Sequence, residues 1–148
     1  MENILSIAPM VDKTDRHFRN FVRMITDKPM LYTEMITAKA ILNGNVDYIL
    51  GFNDIEHPIT LQIAATTPED AYEAVLKAER FNYDEININV GCPSDKVSGN
   101  MMGAYLMAFP EVVAEMVTQM KRATNKPITV KHRIGIDGKN ILPDYFER

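Results

Sequence analysis

The stretch EININVGCP, residues 85–93, decides the fold of this chain. Side chains of an extended strand alternate between two faces, so Asn87 and Asn89 share one face while the aliphatic residues share the other. Strands of an open parallel sheet are usually apolar on both faces, because helices cover both sides. A strand with one polar face that runs into a Gly-Cys-Pro turn favours a barrel, whose ligand-binding rim lies at the carboxyl ends of its strands.

The remainder of the 148 residues alternates between strand-like and helical patterns. Strand-like runs begin near Ile4, Met30, Ile59, Glu85 and Pro127. Segments with a period of about 3.6 residues lie between them, which predicts βα units and a parallel sheet. No Gly-rich phosphate loop follows the first strand, and this weakens the doubly wound alternative. Because no linker divides the chain, residues 1–148 are predicted to form one α/β unit, about the first five βα units of a (β/α)8 TIM-type barrel.

The predicted helices have recognisable start and stop signals. Thr14 is the predicted N-cap of the first helix, and Thr67 followed by Pro68 begins the third. The second helix, MITAKAIL, is short and is predicted to end at Asn43 and Gly44. The predicted inner faces are Phe18, Phe21, Val22 and Ile25 in the first helix, Ala71, Ala74, Val75 and Ala78 in the third, and Val113, Met116, Val117 and Met120 in the fourth.

The composition describes one soluble globular domain, with 46% hydrophobic residues, 24% charged residues and a net charge of −4. No run approaches the roughly 18 apolar residues of a membrane span, and nothing resembles a signal peptide, so we expect a cytoplasmic protein with no membrane partner. A single cysteine forms no internal disulfide, which fits a reducing compartment. A mildly acidic chain is a poor general nucleic-acid binder, so an RNA partner needs local basic patches or a further region.

The single cysteine, Cys92, follows the polar-faced strand directly. Most free cysteines are small buried hydrophobes, and that is one interpretation of Cys92. Gly91 and Pro93 instead indicate a fixed turn that presents the side chain at the rim. A cysteine thiol has a pKa of about 8.5 in water, so it can donate a proton near pH 7 without special tuning. A nucleophile needs a base such as histidine, but the sequence fixes no such pair, and we predict no metal.

Five blocks of the sequence together resemble the successive motifs of the tRNA-dihydrouridine synthases, and are most similar to the A-type branch. The blocks are APMVDKTDRHFR, LYTEMITAKAIL, EHPITLQIAATTPED, YDEININVGCPSDKVSGNMMGAYLM and KPITVKHRIGID. The resemblance implies an FMN-binding barrel that reduces a uridine of tRNA to 5,6-dihydrouridine, with NADPH as the electron donor. The NxGCP motif alone also resembles dihydroorotate and dihydropyrimidine dehydrogenases. A free-pyrimidine flavin oxidoreductase and a noncatalytic half-barrel are therefore the alternatives.

The resemblance also implies roles for individual residues. Cys92 protonates carbon 5 of the uracil, and Asn89 meets the target nucleotide. The residues placed against the flavin are Pro9, Met10, Val11, Gln62 and Lys131. A cation such as the lysine stabilises the anionic reduced ring. The uracil must leave its stack to reach such a pocket, as bases do in other enzymes that modify them.

Each of these residues also has a simpler interpretation. In this interpretation, Lys131 and Arg133 only neutralise Glu34 or other carboxylates at the rim. The role of Arg133 stays open. Asn89 is able to tie down the turn through its amide, as Asx residues often do. Gln62 also fits an isolated polar side chain whose hydrogen bonds are made to water.

The length of the chain departs from the family pattern, because a complete barrel takes at least ~200 residues. The resemblance implies that later strands carry a flavin-contacting histidine and Gly-rich turns for the FMN phosphate, and that a helical domain binds tRNA. We expect the unpaired edges of the outer strands to promote self-association. We also expect residues 1–148 alone to bind FMN weakly and not to reduce tRNA. Tyr105 stands where relatives tend to have a small residue, so whether the neighbouring SGNMMG loop closes over the substrate stays an open question at this point.

Overall fold

A computed structural model describes residues 5–94 and 99–136, and the backbone of residues 139–140. The strands are β1 (Ser6–Ile7), β2 (Met30–Tyr32), β3 (Ile36–Thr37), β4 (Ile59–Ala64), β5 (Glu85–Val90), β6 (Ile128–His132), β7 (Gly135–Ile136) and β8 (Lys139–Asn140). The α-helices are α1 (Arg16–Ile25), α2 (Ala38–Asn43), α3 (Val46–Leu50), α4 (Pro68–Ala78) and α5 (Pro110–Ala123). Two 3₁₀ segments span Asp54–Glu56 and Gly103–Ala108.

The main sheet is parallel and follows the order of the chain. Its strand order is β1, β2, β4, β5, β6, and the short β3 pairs with β4 beyond the end of β2. A doubly wound sheet reverses its strand order near the middle, whereas a barrel adds strands in sequence. The predicted fold class is therefore confirmed: the chain forms a parallel half-barrel of the (β/α)8 type.

The core lies between the sheet and the helices on its outer face. Ile86, Ile88 and Val90 of β5 are completely buried there, as their alternation predicted. The predicted inner face of α4 is confirmed, because all four of its small residues are buried against the sheet and the neighbouring helices. On α5, Val113, Met116 and Met120 are buried, whereas Val117 is partly exposed. Each large apolar side chain buried in this way contributes about 1.5 to 3 kcal/mol.

The prediction for α1 was wrong in two respects. The N-cap is Asp15, whose Oδ1 accepts a hydrogen bond from the Phe18 N–H at 2.8 Å. The predicted cap, Thr14, is fully buried and exchanges hydrogen bonds with the backbone of Met10 instead. The inner face of the helix is also different: Val22 is buried together with Arg19 and Arg23, while the predicted inner residues Phe21 and Ile25 are exposed. The apolar period of 3.6 residues predicted the wrong buried face, because Arg19 and Arg23 are buried with polar partners.

The second helix begins later than predicted. Ile36 and Thr37 form β3, and the Thr37 side chain caps α2 by accepting from the Ala40 N–H. The helix ends at Asn43 with Gly44 as its C-cap, as predicted. The short helix α3, which Asn45 caps, was not predicted, because five residues are too few to show a period. The predicted start of the first strand near Ile4 lies outside the described residues, which begin at Leu5.

No helix in the part of the chain that the structure describes combines the length and the apolarity needed to cross a membrane.

Candidate functional site

Three amide side chains on the inner face of the half-barrel are hydrogen-bonded to one another. Gln62 Nε2 donates to Asn87 Oδ1 at 2.8 Å, and Asn89 Nδ2 donates to Gln62 Oε1 at 2.9 Å. Asn87 Nδ2 continues the chain of bonds to Thr129 Oγ1 at 2.8 Å. We call Gln62, Asn87 and Asn89 the amide ladder. Gln62 is fully buried between its two partners, so the interpretation that water satisfies it was wrong.

The ladder ends in the turn that carries Cys92. Asn89 Oδ1 accepts hydrogen bonds from the backbone N–H of Gly91 at 3.2 Å and of Cys92 at 3.0 Å. Asn89 therefore does tie down the turn through its side chain. A Cβ atom added to Gly91 would lie only 3.3 Å from the backbone of His132 and from Arg133 Cγ. Glycine thus allows the turn to lie against the end of β6.

The Cys92 thiol is free and partly buried at the carboxyl end of β5. It packs against the small cluster of Ala64 and Met102, and its backbone carbonyl accepts from the Ala104 N–H at 2.9 Å. The thiol is therefore neither sealed in the main core nor far from the sheet. Its position at the end of a barrel strand is the one from which barrel enzymes present catalytic groups.

A cavity of about 250 Å³ separates the end of β1 from β6. It brings together Pro9 and Lys131, two of the residues predicted to hold a cofactor. Its lining residues are Ser6, Ala8, Pro9, Tyr32, Asn87, Thr129, Val130 and Lys131. Lys131 is exposed and lies opposite Asn89 in the register of β5 and β6. Met10 and Val11 are exposed in the loop that follows and do not line the cavity.

The described residues give no support to the simpler interpretation of Lys131 and Arg133. Glu34 Oε1 accepts a hydrogen bond from the Asp12 backbone N–H at 2.6 Å. Neither Lys131 nor Arg133 forms an ion pair with any carboxylate in residues 5–94 or 99–136. As far as the described residues go, the Lys131 ammonium is an exposed positive charge beside the cavity.

Sequence reasoning missed a hydroxyl cluster below the ladder. Glu85 Oε1 accepts hydrogen bonds from Thr129 Oγ1 at 2.7 Å, from the Tyr32 hydroxyl at 3.2 Å and from Thr60 Oγ1 at 3.3 Å. Burial raises the pKa of the Tyr32 phenol above its ordinary value, and the Glu85 carboxylate raises it further. The alternation of β5 contained the signal, because Glu85 has the same parity as Asn87 and Asn89.

A larger cavity, of about 520 Å³, lies between α1 and α3 and contains none of the predicted site residues. Asp15, Arg16, Glu34 and Tyr48 are among its lining residues. Within the described ranges, no three histidine, cysteine, aspartate or glutamate side chains come together as a possible metal site. The chemistry-bearing groups therefore concentrate at the amide ladder, the Cys92 turn and the smaller cavity.

These features define a (β/α)8-type domain with a polar inner face and a thiol on its rim. A profile of the family described as Dihydrouridine synthase (Dus) matches residues 6–147. The chain belongs to this dihydrouridine synthase family, and the resemblance seen in the five sequence blocks is confirmed.

Three relatives show how much of the family's length the chain represents. It is 54% identical over 138 residues to a tRNA-dihydrouridine(20/20a) synthase of Shewanella oneidensis, a match that covers 93% of this chain and 41% of the relative. A protein of the same name from Synechocystis is 50% identical over 142 residues, or 96% of this chain and 42% of the relative. A protein of the same name from Vibrio parahaemolyticus is 50% identical over 136 residues, or 92% of this chain and 41% of the relative. The chain thus spans about two-fifths of the length of these relatives.

Proposed function

We propose that this domain serves an oxidoreductase that reduces uridine in tRNA to 5,6-dihydrouridine, with FMN as its cofactor and NADPH as the electron donor. The observation that carries the proposal is the hydrogen-bonded path from the amide ladder to the Cys92 turn at the barrel rim. The names of the relatives support the same activity and give no support to a free-pyrimidine oxidoreductase. For such an enzyme, we propose a cytoplasmic location.

The smaller cavity has the chemistry that a flavin ring requires. A flavin is flat, with apolar faces and a polar edge, and cofactor pockets are mostly apolar with a few placed polar groups. Ala8, Pro9 and Val130 supply apolar walls, and Asn87 supplies a hydrogen-bonding group. Lys131 supplies a positive charge at the same cavity. When bound, FMN supplies the hydride that adds to carbon 6 of the uracil.

The remaining predicted cofactor residues contribute in different ways. Met10 and Val11 lie exposed in the loop beyond β1 and do not line the cavity, so their contact with the flavin is proposed from the family resemblance alone. Gln62 is enclosed, so it acts on the site by fixing the amides of Asn87 and Asn89. The Lys131 ammonium lies at the cavity and stabilises negative charge that develops there, because opposite charges attract.

Cys92 has the role of general acid in this proposal. Its Sγ holds the proton that passes to carbon 5 of the uracil, which leaves a thiolate. Asn89 has one side-chain N–H that is not used by Gln62, and this N–H is available to the target base. A uracil has to leave its base stack to meet both groups, which agrees with their position at an open rim.

A chimera with a full-length relative tests the proposal. Residues 5–136 replace the corresponding segment of the Synechocystis relative, and dihydrouridine in tRNA is measured by mass spectrometry after incubation with FMN and NADPH. The parent chimera is expected to form dihydrouridine. Cys92→Ala is expected to lower the rate by about 10²- to 10⁴-fold, the usual contribution of a positioned general acid.

The exposed position Thr118 on α5 supplies the control, and Thr118→Ala is expected to keep the parent rate. A Cys92→Ala chimera that keeps the parent rate would contradict the role of the thiol. A flavin-loaded parent chimera that reduces free uracil but not tRNA would replace the proposal with the free-pyrimidine alternative.

A further inference from the structure

Both ends of the Asn89 side-chain amide are already used inside the protein. Its Oδ1 accepts from two consecutive backbone N–H groups, those of Gly91 and Cys92. Its Nδ2 donates to Gln62 Oε1. One N–H is left, so Asn89 has little capacity to recognise a base by itself. Most of its bonding capacity goes to the geometry of the turn.

The turn depends on these bonds because it lies beyond the end of the sheet. Gly91 and Cys92 follow the last residue of β5, where the strand ladder stops. Asn89 holds the two N–H groups on one side, and the Ala104 N–H holds the Cys92 carbonyl on the other. Cys92 is thereby kept against Ala64 and Met102. Three hydrogen bonds therefore hold the turn, two to Asn89 Oδ1 and one to the Cys92 carbonyl. Loss of the two Asn89 bonds would leave only the bond from the Ala104 N–H.

Gln62 fixes the orientation of the Asn89 amide. It is fully buried, and it bonds Asn87 through Nε2 and Asn89 through Oε1. Its own backbone N–H donates to Thr33 Oγ1 at 3.0 Å, which ties the centre of β4 to the end of β2. An Asn89 amide that rotated by half a turn would point its Nδ2 at the N–H groups of the turn, which have no acceptor to offer. The orientation of Asn89 is therefore set from the interior of the barrel.

We infer that Asn89 is a positioning residue for Cys92, anchored by Gln62, in addition to any contact with the substrate. The catalytic meaning of this inference rests on the proposed function. The ordering of the turn is a property of the chain itself, and it is testable without flavin or tRNA. Failure of the test would remove the positioning role and leave the proposed reaction standing.

Alkylation of the thiol measures the order of the turn. Cys92 is the only cysteine of the 148-residue chain, so iodoacetamide reports on a single site. Rates are measured from pH 6 to pH 10, because the high-pH plateau reports accessibility separately from the fraction of thiolate. Asn89→Ala is expected to raise the plateau rate about tenfold, since two hydrogen bonds that hold the closed turn are lost.

Two matched variants separate positioning from general loosening of the ladder. Asn87→Ala removes bonds to Gln62 and Thr129 but none to the turn, and we expect its plateau rate within about twofold of the parent. Asn89→Asp keeps an oxygen acceptor for the turn but sets its second oxygen against Gln62 Oε1, so we expect a plateau rate between those of the parent and Asn89→Ala. An Asn87→Ala chain as fast as Asn89→Ala, or an Asn89→Asp chain as fast as Asn89→Ala, would overturn the inference.

Amide hydrogen exchange on the unmodified chain gives a second measurement if Asn89→Ala fails to fold. The Cys92 N–H is expected to exchange at least about tenfold more slowly than the exposed Asp27 N–H, after correction for intrinsic rates. Equal corrected rates at the two sites would show that Asn89 does not hold the turn, and would overturn the inference without any variant.

Discussion

Arg19 and Glu56 form an ion pair that is almost completely shielded from water. Arg19 Nε donates to Glu56 Oε2, and Arg19 Nη1 donates to the Thr14 carbonyl at 2.7 Å. The second oxygen, Glu56 Oε1, accepts from the Asn53 N–H at 2.8 Å. The pair fastens α1 to the loop before β4 with its polar groups satisfied. A charge left alone in this place would be costly, because water cannot reach it.

Glu56→Ala is therefore expected to lower the free energy of unfolding by about 3 to 5 kcal/mol, the usual effect of removing one partner of a buried pair. Urea unfolding at pH 7 measures the change. Asp47→Ala is the control, because Asp47 pairs with Arg80 on the surface, where the two side chains are 76% and 59% exposed. We expect this control to cost less than about 1 kcal/mol. Equal losses in the two variants would contradict the role given to burial.

At the scale of the element, α1 shows how local capping and tertiary burial act separately. Asp15 begins the helix because its carboxylate is free to bond the Phe18 N–H. Thr14 has a hydroxyl equally suited to capping, but it is buried and engaged with Met10. Two neighbouring residues with similar capping propensity thus take different roles, and the backbone of the preceding loop decides between them.

Asp15→Ala is expected to destabilise the chain by about 1 kcal/mol, since one N–H of the first turn loses its acceptor. Thermal or urea unfolding followed by circular dichroism checks this value. Asp27→Ala serves as the matched control, because Asp27 lies beyond the end of the same helix and is highly exposed. Its effect is expected to stay within about 0.5 kcal/mol. A loss from Asp15→Ala no larger than that of the control would show that Asp15 is not the cap.

At the scale of the whole molecule, the sheet has two open edges in the described residues. β1 pairs only with β2, and β6 pairs only with β5. The outer face of α1 exposes Phe21 at 60%, Met24 at 79% and Ile25 at 70%. Unpaired strand edges and exposed apolar side chains are both typical of surfaces that associate. Self-association through the sheet edges stays a prediction, and the three exposed apolar residues of α1, which we call the α1 face, are a second surface on which it can be tested.

The chain is expected to form dimers or larger assemblies at micromolar concentration, measured by size-exclusion chromatography with light scattering. Substitution of Phe21 and Met24 by glutamine in the α1 face is expected to shift the population toward monomer, because the apolar area that drives association is reduced. Tyr48→Gln supplies the comparison, since Tyr48 is 75% exposed on a different helix. A parent chain that stays monomeric across the concentration range would rule out this surface as an interface.

Much of the candidate site was predictable because barrels place polar groups by strand parity. The alternation of β5 predicted that Asn87 and Asn89 share the inner face, and the structure joins both of them to Gln62. The position of Cys92 after the strand end was equally predictable from the Gly-Cys-Pro turn. The bonds between these side chains were not predictable, because they depend on the register between neighbouring strands. Assignment of Cys92, Asn89, Lys131 and the other site residues to catalysis or binding stays a prediction.

The sequence by itself determined the order of the five main strands and the longer helices, the parallel α/β class, the apolar faces of α4 and α5, and the family. These features depend on local patterns, such as the period of 3.6 residues and the alternation in strands, which neighbours along the chain are sufficient to define. Only the tertiary structure decided that α1 buries Arg19 in place of Phe21, and that Gln62 is a buried link between two asparagines. Burial and these hydrogen-bond partners depend on residues 25 or more positions away, which no local pattern contains.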